Sequence, residues 1–515
     1  MAASAFYLGF DISTQGAKLL ALAWPERTVV WTSTLQYDED LPQYATHEGR
    51  RQHADPCVSE ADPKMWIDAV EVLLGRWQRS GFDGQRVRAL SVSGQQHGLV
   101  CVDAGGRLTR PWAKLWNDTS TQEECRELHA ALGGEAAMQK AVGMVQRPGF
   151  TASKILHFKK EDPRAFARTA SFLLVHNYIN MFLSGGVRVM EAGDASGMAL
   201  MDPVRKSWHP EVCAAIDPQL IQALPPLRPA HKPIGRIAPE LAERFGISPE
   251  AWIAAGSGDN MMGAIGTGNV KPGIVTVSLG TSGTAYAFRA EPLIEADPDV
   301  AGFCDATGSY LPLVCVANLA NGYRQCLETF GWTHAEFARA LEATAPGNEG
   351  RLLVPWFRGE RTPDLPAAAG TYFGFHSLAD FRPEVLARAV LEGHVLHLHQ
   401  AYQKLGVQAK LVHLTGGLTR SQAFCQAIAD IFAMDVLVLE GEGAALGAAL
   451  HAAWTDGVGP IEELCATTLA LSQAARIKPR ADVVPIYEQV KLRYQTLAQA
   501  LLASAEGLGM LEVKP

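Results

Sequence analysis

Basic residues are in the minority in this chain, and long apolar runs are missing. There are 45 lysines and arginines against 54 aspartates and glutamates, which gives a formal net charge of -9. Because a nucleic-acid partner usually needs a basic face, this balance argues against one. No apolar run reaches the roughly 18 to 20 residues of a membrane span. The first residues lack the basic and apolar regions of a secretion signal, so we expect neither a leader nor a membrane segment.

Paired cysteines and zinc-binding motifs are also missing. The nine cysteines are scattered and odd in number, with no CxxC motif and no Cys/His cluster at zinc spacing. This usage is typical of reduced thiols, most of them buried, rather than of a disulfide framework. The sequence therefore predicts a cytoplasmic protein.

One unusual pattern occurs twice, at residues 7–18 and 275–284. In each copy an apolar run ends in a turn of Ser, Thr and Gly, and a second apolar run follows. The small side chains of such a turn allow backbone N–H groups and hydroxyls to surround a phosphate. A chain of 515 residues is too long for one ordinary core. We therefore predict two similar α/β halves, each offering a phosphate-binding hairpin to one nucleotide, without a Walker A loop.

Several polar motifs fall where predicted strands end. The strand at 86–93 leads into residues 94–98 (GQQHG), the strand near 252–255 leads towards Asp259, and the strand at 411–415 stops at Gly416-Gly417. The pattern also predicts helices at about 65–79, from 151, from Ser421, at 441–453 and at about 484–508.

Asp259 stands between Gly258 and Asn260 just after a predicted strand. A small polar ligand can approach a carboxylate in that position without steric screening. Such a carboxylate suits a general base that orients a hydroxyl and accepts its proton during phosphoryl transfer. It also suits a turn aspartate that caps the next helix, and the local sequence leaves both interpretations open.

Asp11 directly precedes the first of the two turns. Its carboxylate suits Mg²⁺ bound directly or through water, while Ser13, Thr14, Gln15 and Lys18 are candidates to face phosphate oxygens. The alternative is a turn aspartate with a solvent-exposed lysine.

Residues 95–98 place amide and imidazole groups at a strand end between glycines. Gln96 and His97 are therefore candidates to bind the hydroxyls and carbonyl of a sugar, and we interpret His97 as a hydrogen-bonding group rather than an acid or base. A plain polar loop is the alternative. Arg147 is a weaker candidate, because an ordinary surface position explains it equally well.

Gly416 and Gly417 allow an adenosine to lie against the backbone, with Ser421 near its purine or ribose. A simple turn before a helix explains these residues as well, and only the repeat favours the nucleotide. The segment 354–363 is rich in turn formers, and we expect it to shape the site rather than perform chemistry.

Taken together, these motifs resemble the FGGY family of carbohydrate kinases over nearly the whole chain. The resemblance rests on residues 11–15, 94–98, 148–154, 194–197, 258–260, 279–283, 359–363 and 416–417. It implies an α/β, two-domain actin-like ATPase fold, a duplicated ribonuclease-H-like fold, with a nucleotide and sugar cleft between the halves. The implied domains are a sugar-binding domain at 1–252, an ATP-binding domain at 253–455 and a helical segment at 456–515 that packs back on the body.

Within the family, GQQHG together with GDN is most similar to the kinases of D-xylulose, which implies ATP and Mg²⁺ as cofactors and transfer of the γ-phosphate to the terminal hydroxyl of the sugar. Asp259 would be the base, and Asp11 would approach Mg²⁺, with Asp259 close enough to share it. The implied sugar contacts are Gln96, His97, Asp259, Asn260 and Arg147. The implied ATP contacts are Gly280, Thr281, Gly416, Gly417 and Ser421, where Ser421 replaces an asparagine common among relatives.

Three alternatives remain open at this stage. The same chemistry could act on L-ribulose, L-xylulose, glycerol or a sugar acid, because the fold says little about the acceptor. The chain could instead be a conformational actin-like ATPase or a silent sugar sensor. The expected partner is a small sugar, with neither nucleic acid nor membrane, and a homodimer stays an open alternative for the assembly.

Overall fold

The computed structural model describes residues 4–294, 297–439, 443–469 and 475–511. The chain forms two compact units, and each is assembled from separate stretches of sequence. The first consists of Met1–Lys271, Arg289–Leu311 and Glu442–Gln473, and the second of Pro272–Phe288, Pro312–Gly441 and Ala474–Pro515. The predicted domains are contiguous stretches that end at residues 252 and 455, and those boundaries stay predictions.

The strands, many of them short, follow in chain order. They are β1 (Ala5–Ile12), β2 (Gly16–Trp24), β3 (Thr28–Gln36), β4 (Glu60–Ala61), β5 (Val87–Gly94), β6 (Val100–Val102), β7 (Ala113–Lys114), β8 (Ser171–Leu173), β9 (Met190–Glu191), β10 (Met201–Asp202), β11 (Ser207–Trp208), β12 (Leu227–Arg228), β13 (Gly235–Arg236), β14 (Trp252–Ile253), β15 (Ser257–Gly258), β16 (Ile274–Leu279), β17 (Gly283–Tyr286), β18 (Ala301–Cys304), β19 (Tyr310–Val316), β20 (Leu352–Val354), β21 (Glu360–Arg361), β22 (Asp364–Leu365), β23 (Thr371–Phe373), β24 (Leu411–Thr415), β25 (Asp435–Val438) and β26 (Ala475–Ile477).

The α-helices are numbered in the same way. They are α1 (Tyr37–Asp40), α2 (Pro63–Gln78), α3 (Gln122–Leu132), α4 (Glu135–Val142), α5 (Thr151–Glu161), α6 (Pro163–Arg168), α7 (Val175–Leu183), α8 (Ala192–Ser196), α9 (Pro210–Ile216), α10 (Pro239–Phe245), α11 (Asp259–Gly266), α12 (Ala320–Phe330), α13 (His334–Glu342), α14 (Pro383–Gln403), α15 (Gln422–Phe432), α16 (Gly443–Thr455), α17 (Ile461–Leu469) and α18 (Val484–Ala503).

The main sheet of the first unit has the strand order β13-β14-β5-β1-β2-β3. The predicted hairpin is present, because β1 and β2 pair antiparallel, and β3 continues the antiparallel ribbon. Strand β5 runs parallel to β1 on its other side and also pairs in parallel with β14 and β15. At the edge, β13 is antiparallel to β14.

The other seven-stranded sheet has the strand order β26-β25-β24-β16-β17-β19-β18, and its strands from β26 to β19 repeat this arrangement. The second predicted hairpin is β16 and β17, which pair antiparallel, and β17 pairs antiparallel with β19. Strand β24 runs parallel to β16 and to β25, and the edge strand β26 is antiparallel to β25. Order and direction therefore agree strand by strand, which confirms the predicted α/β class and the duplication.

Local sequence signals account for the long helices. Helix α2 begins where the Asp62 side chain accepts a hydrogen bond from the Lys64 N–H and Pro63 occupies the first turn. Its apolar face buries Trp66 and Trp77 completely in the core of the first unit. Helices predicted at about 65–79, from 151, from Ser421 and at about 484–508 correspond to α2, α5, α15 and α18. Every helix in the described ranges falls short of the length or apolarity needed to cross a membrane.

Helix α16 packs against β1 and α11 of the same unit through small residues. A Cβ atom on Gly9 of β1 would lie 2.1 Å from the Ala445 carbonyl oxygen, and one on Gly447 would lie 1.8 Å from the Met262 carbonyl oxygen. Only glycine fits at such distances. The helix predicted at 441–453 is thus present as α16, although residues 441–442 lie outside the described residues.

We predict that Gly447→Ala destabilises the protein although alanine is the better helix former. The helix propensity gain is about 1 kcal/mol, whereas forcing backbone away from the new Cβ costs about 1–3 kcal/mol or more. We expect the Tm in thermal unfolding to fall by a few degrees or more, at roughly 2–4 °C per kcal/mol. Gly443→Ala in the same helix is the matched control, because its Cβ would meet no atom within 4 Å. Equal Tm values for the two variants would contradict the close packing.

Candidate active site

Three parallel strands of the first unit end side by side. In the register of β5, Ser93 lies opposite Asp11 of β1 and also opposite Ser257 of β15. Carboxyl ends of parallel strands lie at one edge of a sheet, which is the usual position of sites in α/β proteins. The sheet therefore brings together Asp11, the loop after β5 that carries Gln96, and Asp259, which follows β15.

Asp259 is half-buried at the first position of α11. Its Oδ1 accepts hydrogen bonds from Asn260 N at 2.9 Å and from Asn260 Nδ2 at 3.2 Å. The same Nδ2 donates to Gln96 Oε1 at 2.7 Å. Three of the predicted sugar-binding residues thus form one hydrogen-bonded group.

The environment of Asp259 favours its protonated form. Burial raises its pKa to about 7, and the neighbouring charges of Asp11 and Asp194 add to the rise, while backbone hydrogen bonds from Asn260 and Gln96 oppose it. A carboxylate with this pKa is basic enough to accept a proton from a hydroxyl near neutral pH. The geometry therefore suits the proposed base better than a simple capping role, since Gly258 is the N-cap of α11.

Gln96 leaves a polar atom unused. Its side chain is buried, and its Nε2 has no hydrogen-bond partner among the described residues. A buried amide donor without a partner costs free energy, which an incoming hydroxyl or carbonyl oxygen would relieve. Gly258 allows this close packing, because a Cβ there would lie 2.6 Å from Gln96 Cγ.

The surroundings of His97 fix its protonation state and its tautomer. Its backbone has a φ of 63°, and its carbonyl oxygen accepts a hydrogen bond from the buried Lys154 Nζ at 2.8 Å. Nδ1 lies 2.8 Å from the Gly197 carbonyl oxygen and must therefore carry the proton. Burial, together with the charge of Lys154, lowers the pKa of His97 to about 3. The imidazole is neutral, as interpreted from the sequence, and Nε2 is left as an acceptor.

The turn between β1 and β2 uses its own hydroxyls. Ser13 Oγ donates to the Gly16 carbonyl oxygen at 2.8 Å, and Thr14 Oγ1 donates to Gln95 Oε1 at 3.1 Å. Trp116 Nε1 donates to Thr14 Oγ1 at 2.9 Å. Both hydroxyls are thus engaged within the protein, and the Ser13 N–H also donates to the Gly16 carbonyl oxygen at 3.0 Å.

The remaining groups of this turn lie as follows. Gln15 is exposed at its tip. Lys18 lies opposite Asp11 across the β1–β2 pair. Asp11 Oδ1 accepts a hydrogen bond from Ser93 Oγ at 2.9 Å, which orients the carboxylate. The phosphate contacts assigned to Ser13, Thr14, Gln15 and Lys18 stay predictions.

Sequence reasoning missed a buried polar cluster behind Asp259. Asp194 Oδ2 lies 2.8 Å from His176 Nδ1, and both side chains are fully buried. A Cβ on Gly258 would lie 2.9 Å from Asp194 Oδ1. Glu191 accepts hydrogen bonds from Ser257 Oγ at 2.5 Å and from Asp194 N at 2.7 Å. Only the motif at 194–197 pointed to this region, and it carried no assigned role.

Arg147 lies in the loop before α5, and its guanidinium Nη2 is 3.9 Å from Asp299 Oδ1. Three residues later, the Phe150 ring packs edge-on against the His97 ring with centroids 4.9 Å apart. The loop therefore adjoins His97, and a direct role of Arg147 stays a prediction.

In the second unit, the parallel pair β16 and β24 also ends at one edge, since Ser278 lies opposite Thr415. The turn at Gly280 and Thr281 follows β16, and Gly416 follows β24. Gly416 has a φ of 97°, and a Cβ there would lie 2.7 Å from the Leu279 carbonyl oxygen. The two glycine turns thus lie together, as the repeat predicts.

Several residues of the two glycine turns in the second unit are exposed to solvent. Thr281, Gly416 and Gly417 are exposed. Ser421 precedes α15 and makes no side-chain cap, so its hydroxyl does not act as the helix cap that a simple turn would need. The nucleotide contacts of these residues stay predictions.

Two carboxylates of the first unit suit a cation that also binds phosphate. Asp11 and Asp259 are close enough for the charge of one to raise the pKa of the other. Among the described residues, no group of three or more His, Cys, Asp or Glu side chains is arranged to hold a metal ion. A cation here would therefore need phosphate oxygens as additional ligands, which is the usual coordination of Mg²⁺ with nucleotides.

Comparison with known proteins identifies relatives over almost the full length of the chain. A xylulose kinase of Haemophilus influenzae is 36% identical over 95% of this chain and 99% of its own. The crystal structure of a xylulose kinase from Brucella ovis superposes with a TM-score of 0.85 at 28% identity, covering 97% of this chain and 99% of the other. That of a xylulose kinase from Bifidobacterium adolescentis gives a TM-score of 0.78 at 26% identity, covering 95% and 99%.

These structures confirm the predicted two-domain, actin-like fold class. The models for the N-terminal and C-terminal domains of one family match residues 6–266 and 275–455, respectively. The chain belongs to the FGGY family of carbohydrate kinases.

Proposed function

We propose that this protein phosphorylates D-xylulose to D-xylulose 5-phosphate, with ATP as the phosphoryl donor and Asp259 as the general base. The observation that carries the proposal is the hydrogen-bonded group of Gln96, Asp259 and Asn260 at the strand ends of the first unit. The relatives named as xylulose kinases support the choice of sugar, because they align over nearly all of the chain.

The donor and acceptor pattern of this group matches a ketose. Gln96 Nε2 is a buried donor without a partner, so it can bind a carbonyl or hydroxyl oxygen. His97 Nε2 is an acceptor and can accept a hydrogen bond from a sugar hydroxyl. Asn260 holds Asp259 Oδ1 in place, which leaves Oδ2 for the hydroxyl that reacts. Arg147 is retained as a further sugar contact.

The chemical step is an in-line transfer. Asp259 orients the terminal hydroxyl and accepts its proton, the hydroxyl oxygen forms a bond to the γ-phosphorus, and the bond from that phosphorus to the β–γ bridging oxygen breaks to give ADP. Most of the rate comes from positioning the hydroxyl and stabilising charge, because little covalent chemistry falls to the protein.

The cofactors in this proposal are ATP and Mg²⁺. Asp11 and Asp259 would hold the cation, which would neutralise charge that develops on the triphosphate. The turn at Ser13, Thr14, Gln15 and Lys18 and the glycine turns at 280–281 and 416–417, with Ser421, would bind the nucleotide. Exposed backbone N–H groups in such turns are suitable phosphate donors.

The setting of the enzyme in this proposal is the cytoplasm. All nine cysteines are free thiols, which suits a reducing compartment. The assembly is proposed to be either a monomer or a homodimer, and light scattering would distinguish the two.

We expect Asp259→Asn to lose sugar-dependent ADP formation by at least ~100-fold in kcat, because general-base catalysis contributes roughly 10²–10⁴-fold. The amide keeps the shape and the neighbouring hydrogen bonds but cannot accept the proton. Asp217→Asn, which removes a charge paired with Lys159 at 2.9 Å, is the matched control and should keep full activity. An active Asp259→Asn enzyme would exclude this residue as the base.

Among D-xylulose, L-xylulose, D-ribulose, L-ribulose, glycerol and gluconate, we expect D-xylulose to have the highest kcat/KM by at least ~10-fold, about 1.4 kcal/mol of discrimination. A coupled assay of ADP release with Mg-ATP measures this directly. Preference for another acceptor would support the kinase activity but exclude D-xylulose as the preferred substrate. ATP turnover that ignores every sugar would favour a conformational ATPase.

We expect Asp11→Asn to raise the Mg²⁺ concentration for half-maximal activity by about 10-fold or more, with partial recovery at saturating Mg²⁺. The reason is that removal of one carboxylate leaves the cation with phosphate and the remaining carboxylate. A titration of activity against Mg²⁺ at fixed ATP tests this, again with Asp217→Asn as the control. An unchanged midpoint would remove Asp11 from the metal site.

A further inference from the structure

The motif at 359–363 carries a buried carboxylate that has no part in the proposed chemistry. The Glu360 side chain is fully buried in the second unit. Its Oε1 accepts hydrogen bonds from Ala317 N at 2.5 Å and from Arg361 N at 2.7 Å. Its Oε2 accepts one from Asn318 Nδ2 at 3.0 Å and lies 3.1 Å from His397 Nε2. Both oxygens are therefore engaged by groups from separate elements.

Two of these donors belong to residues 317–319, the short loop between β19 and α12. Asn318 Nδ2 also donates to the Gly359 carbonyl oxygen at 2.9 Å, so the loop is joined to the 359–363 segment at two points. On its other side, Leu319 N donates to the Thr281 carbonyl oxygen and Ala320 N donates to the Gly280 carbonyl oxygen, each at 3.2 Å. The loop thus connects Glu360 to the turn after β16.

Residues 317–319 pack tightly against the β16–β17 hairpin. A Cβ on Gly283 would lie 2.9 Å from Leu319 Cδ2, and Leu319 is fully buried. On the far side of the turn, Arg324 Nη2 donates to Thr281 Oγ1 at 3.1 Å. Because packed interiors resist small displacements, a shift of Leu319 would move the turn with it.

Glu360 keeps its charge despite its burial. Burial alone would raise its pKa, but the charge of His397 and the hydrogen bonds from Ala317 and Asn318 hold the pKa below its usual value. Hydrogen bonds to an ionised acceptor are shorter and about twice as strong as neutral ones. A buried charge that loses its partners is costly, so the loop is fixed where it satisfies the carboxylate.

We propose that Glu360, which lies beside His397, is a positioning residue that sets the Gly280–Thr281 turn for the phosphates of the nucleotide. The inference rests on the proposed function in one respect, namely that this turn binds nucleotide. It assigns the 359–363 motif an effect on nucleotide affinity and none on sugar affinity.

The test is Glu360→Gln, with binding of Mg-ADP and of D-xylulose measured separately by calorimetry. Glutamine has the same shape, but it loses the charge and turns an NH₂ group towards donors. We expect the Kd for Mg-ADP to rise by about 10-fold or more, while the Kd for D-xylulose changes by less than about 2-fold. Glu488→Gln is the control for charge, because it is an exposed glutamate of the same unit. It should leave both affinities unchanged.

A second pair of variants covers the case in which Glu360→Gln does not fold. His397→Leu removes the imidazole that lies 3.1 Å from Oε2 and leaves Glu360 with its hydrogen bonds, whereas His397→Gln retains an N–H that can reach Oε2. We expect weaker Mg-ADP binding in the leucine variant and recovery towards the wild-type value in the glutamine variant. A purely structural role would weaken nucleotide and sugar binding together and would not distinguish leucine from glutamine.

The outcomes separate this inference from the proposed function. If wild-type protein binds Mg-ADP but does not phosphorylate D-xylulose, the proposed substrate is wrong. The inference about Glu360 is then still decided by the Mg-ADP affinity of the variants. Wild-type affinity for Mg-ADP in folded Glu360→Gln would overturn the inference. So would a parallel loss of nucleotide and sugar affinity, or wild-type protein that binds no Mg-ADP.

Discussion

The parallel pairing of β5 with β1 and β15 is the constraint on which the site depends. Parallel strands must be joined by crossovers, so residues far apart in sequence end at one edge of the sheet. Asp11, Gln96 and Asp259 meet there because Ser93 is in register with both Asp11 and Ser257. The second unit uses the same arrangement at β16 and β24, where two glycine turns meet. One topology, used twice, thus produces both groups of predicted site residues.

Close backbone packing supports this edge. Helix α16 lies against β1 and α11, and glycines at 9, 266 and 447 allow carbonyl oxygens to approach where any Cβ would clash. Since α11 begins at Asp259, the helix that presents the proposed base is held by backbone rather than by flexible side chains. Behind it, buried Glu191, Asp194 and His176 complete the polar surroundings. The raised pKa of Asp259 follows from this packing and from the nearby carboxylates.

Sequence patterns predicted the hairpins and the polar residues at the strand ends, because these features depend on residues close together in the chain. They did not predict that the Ser13 and Thr14 hydroxyls donate hydrogen bonds to Gly16 and Gln95. They also missed the Asp194–His176 pair, which forms only when α7 and α8 pack behind the sheet. Hydrogen-bond partners from distant elements leave no local sequence pattern, so such contacts could not be predicted from the sequence.

By itself, the sequence determined the alternation of strands and helices, the repeat of the hairpin and the types of chemical group at each strand end. Hydrophobic periodicity and turn residues act locally, and they are sufficient for these features. The tertiary structure alone decided the raised pKa of Asp259, the neutral tautomer of His97 and the connection of Glu360 to the Gly280–Thr281 turn. Burial and the charges of neighbours set these properties, and both exist only after separate segments have packed together.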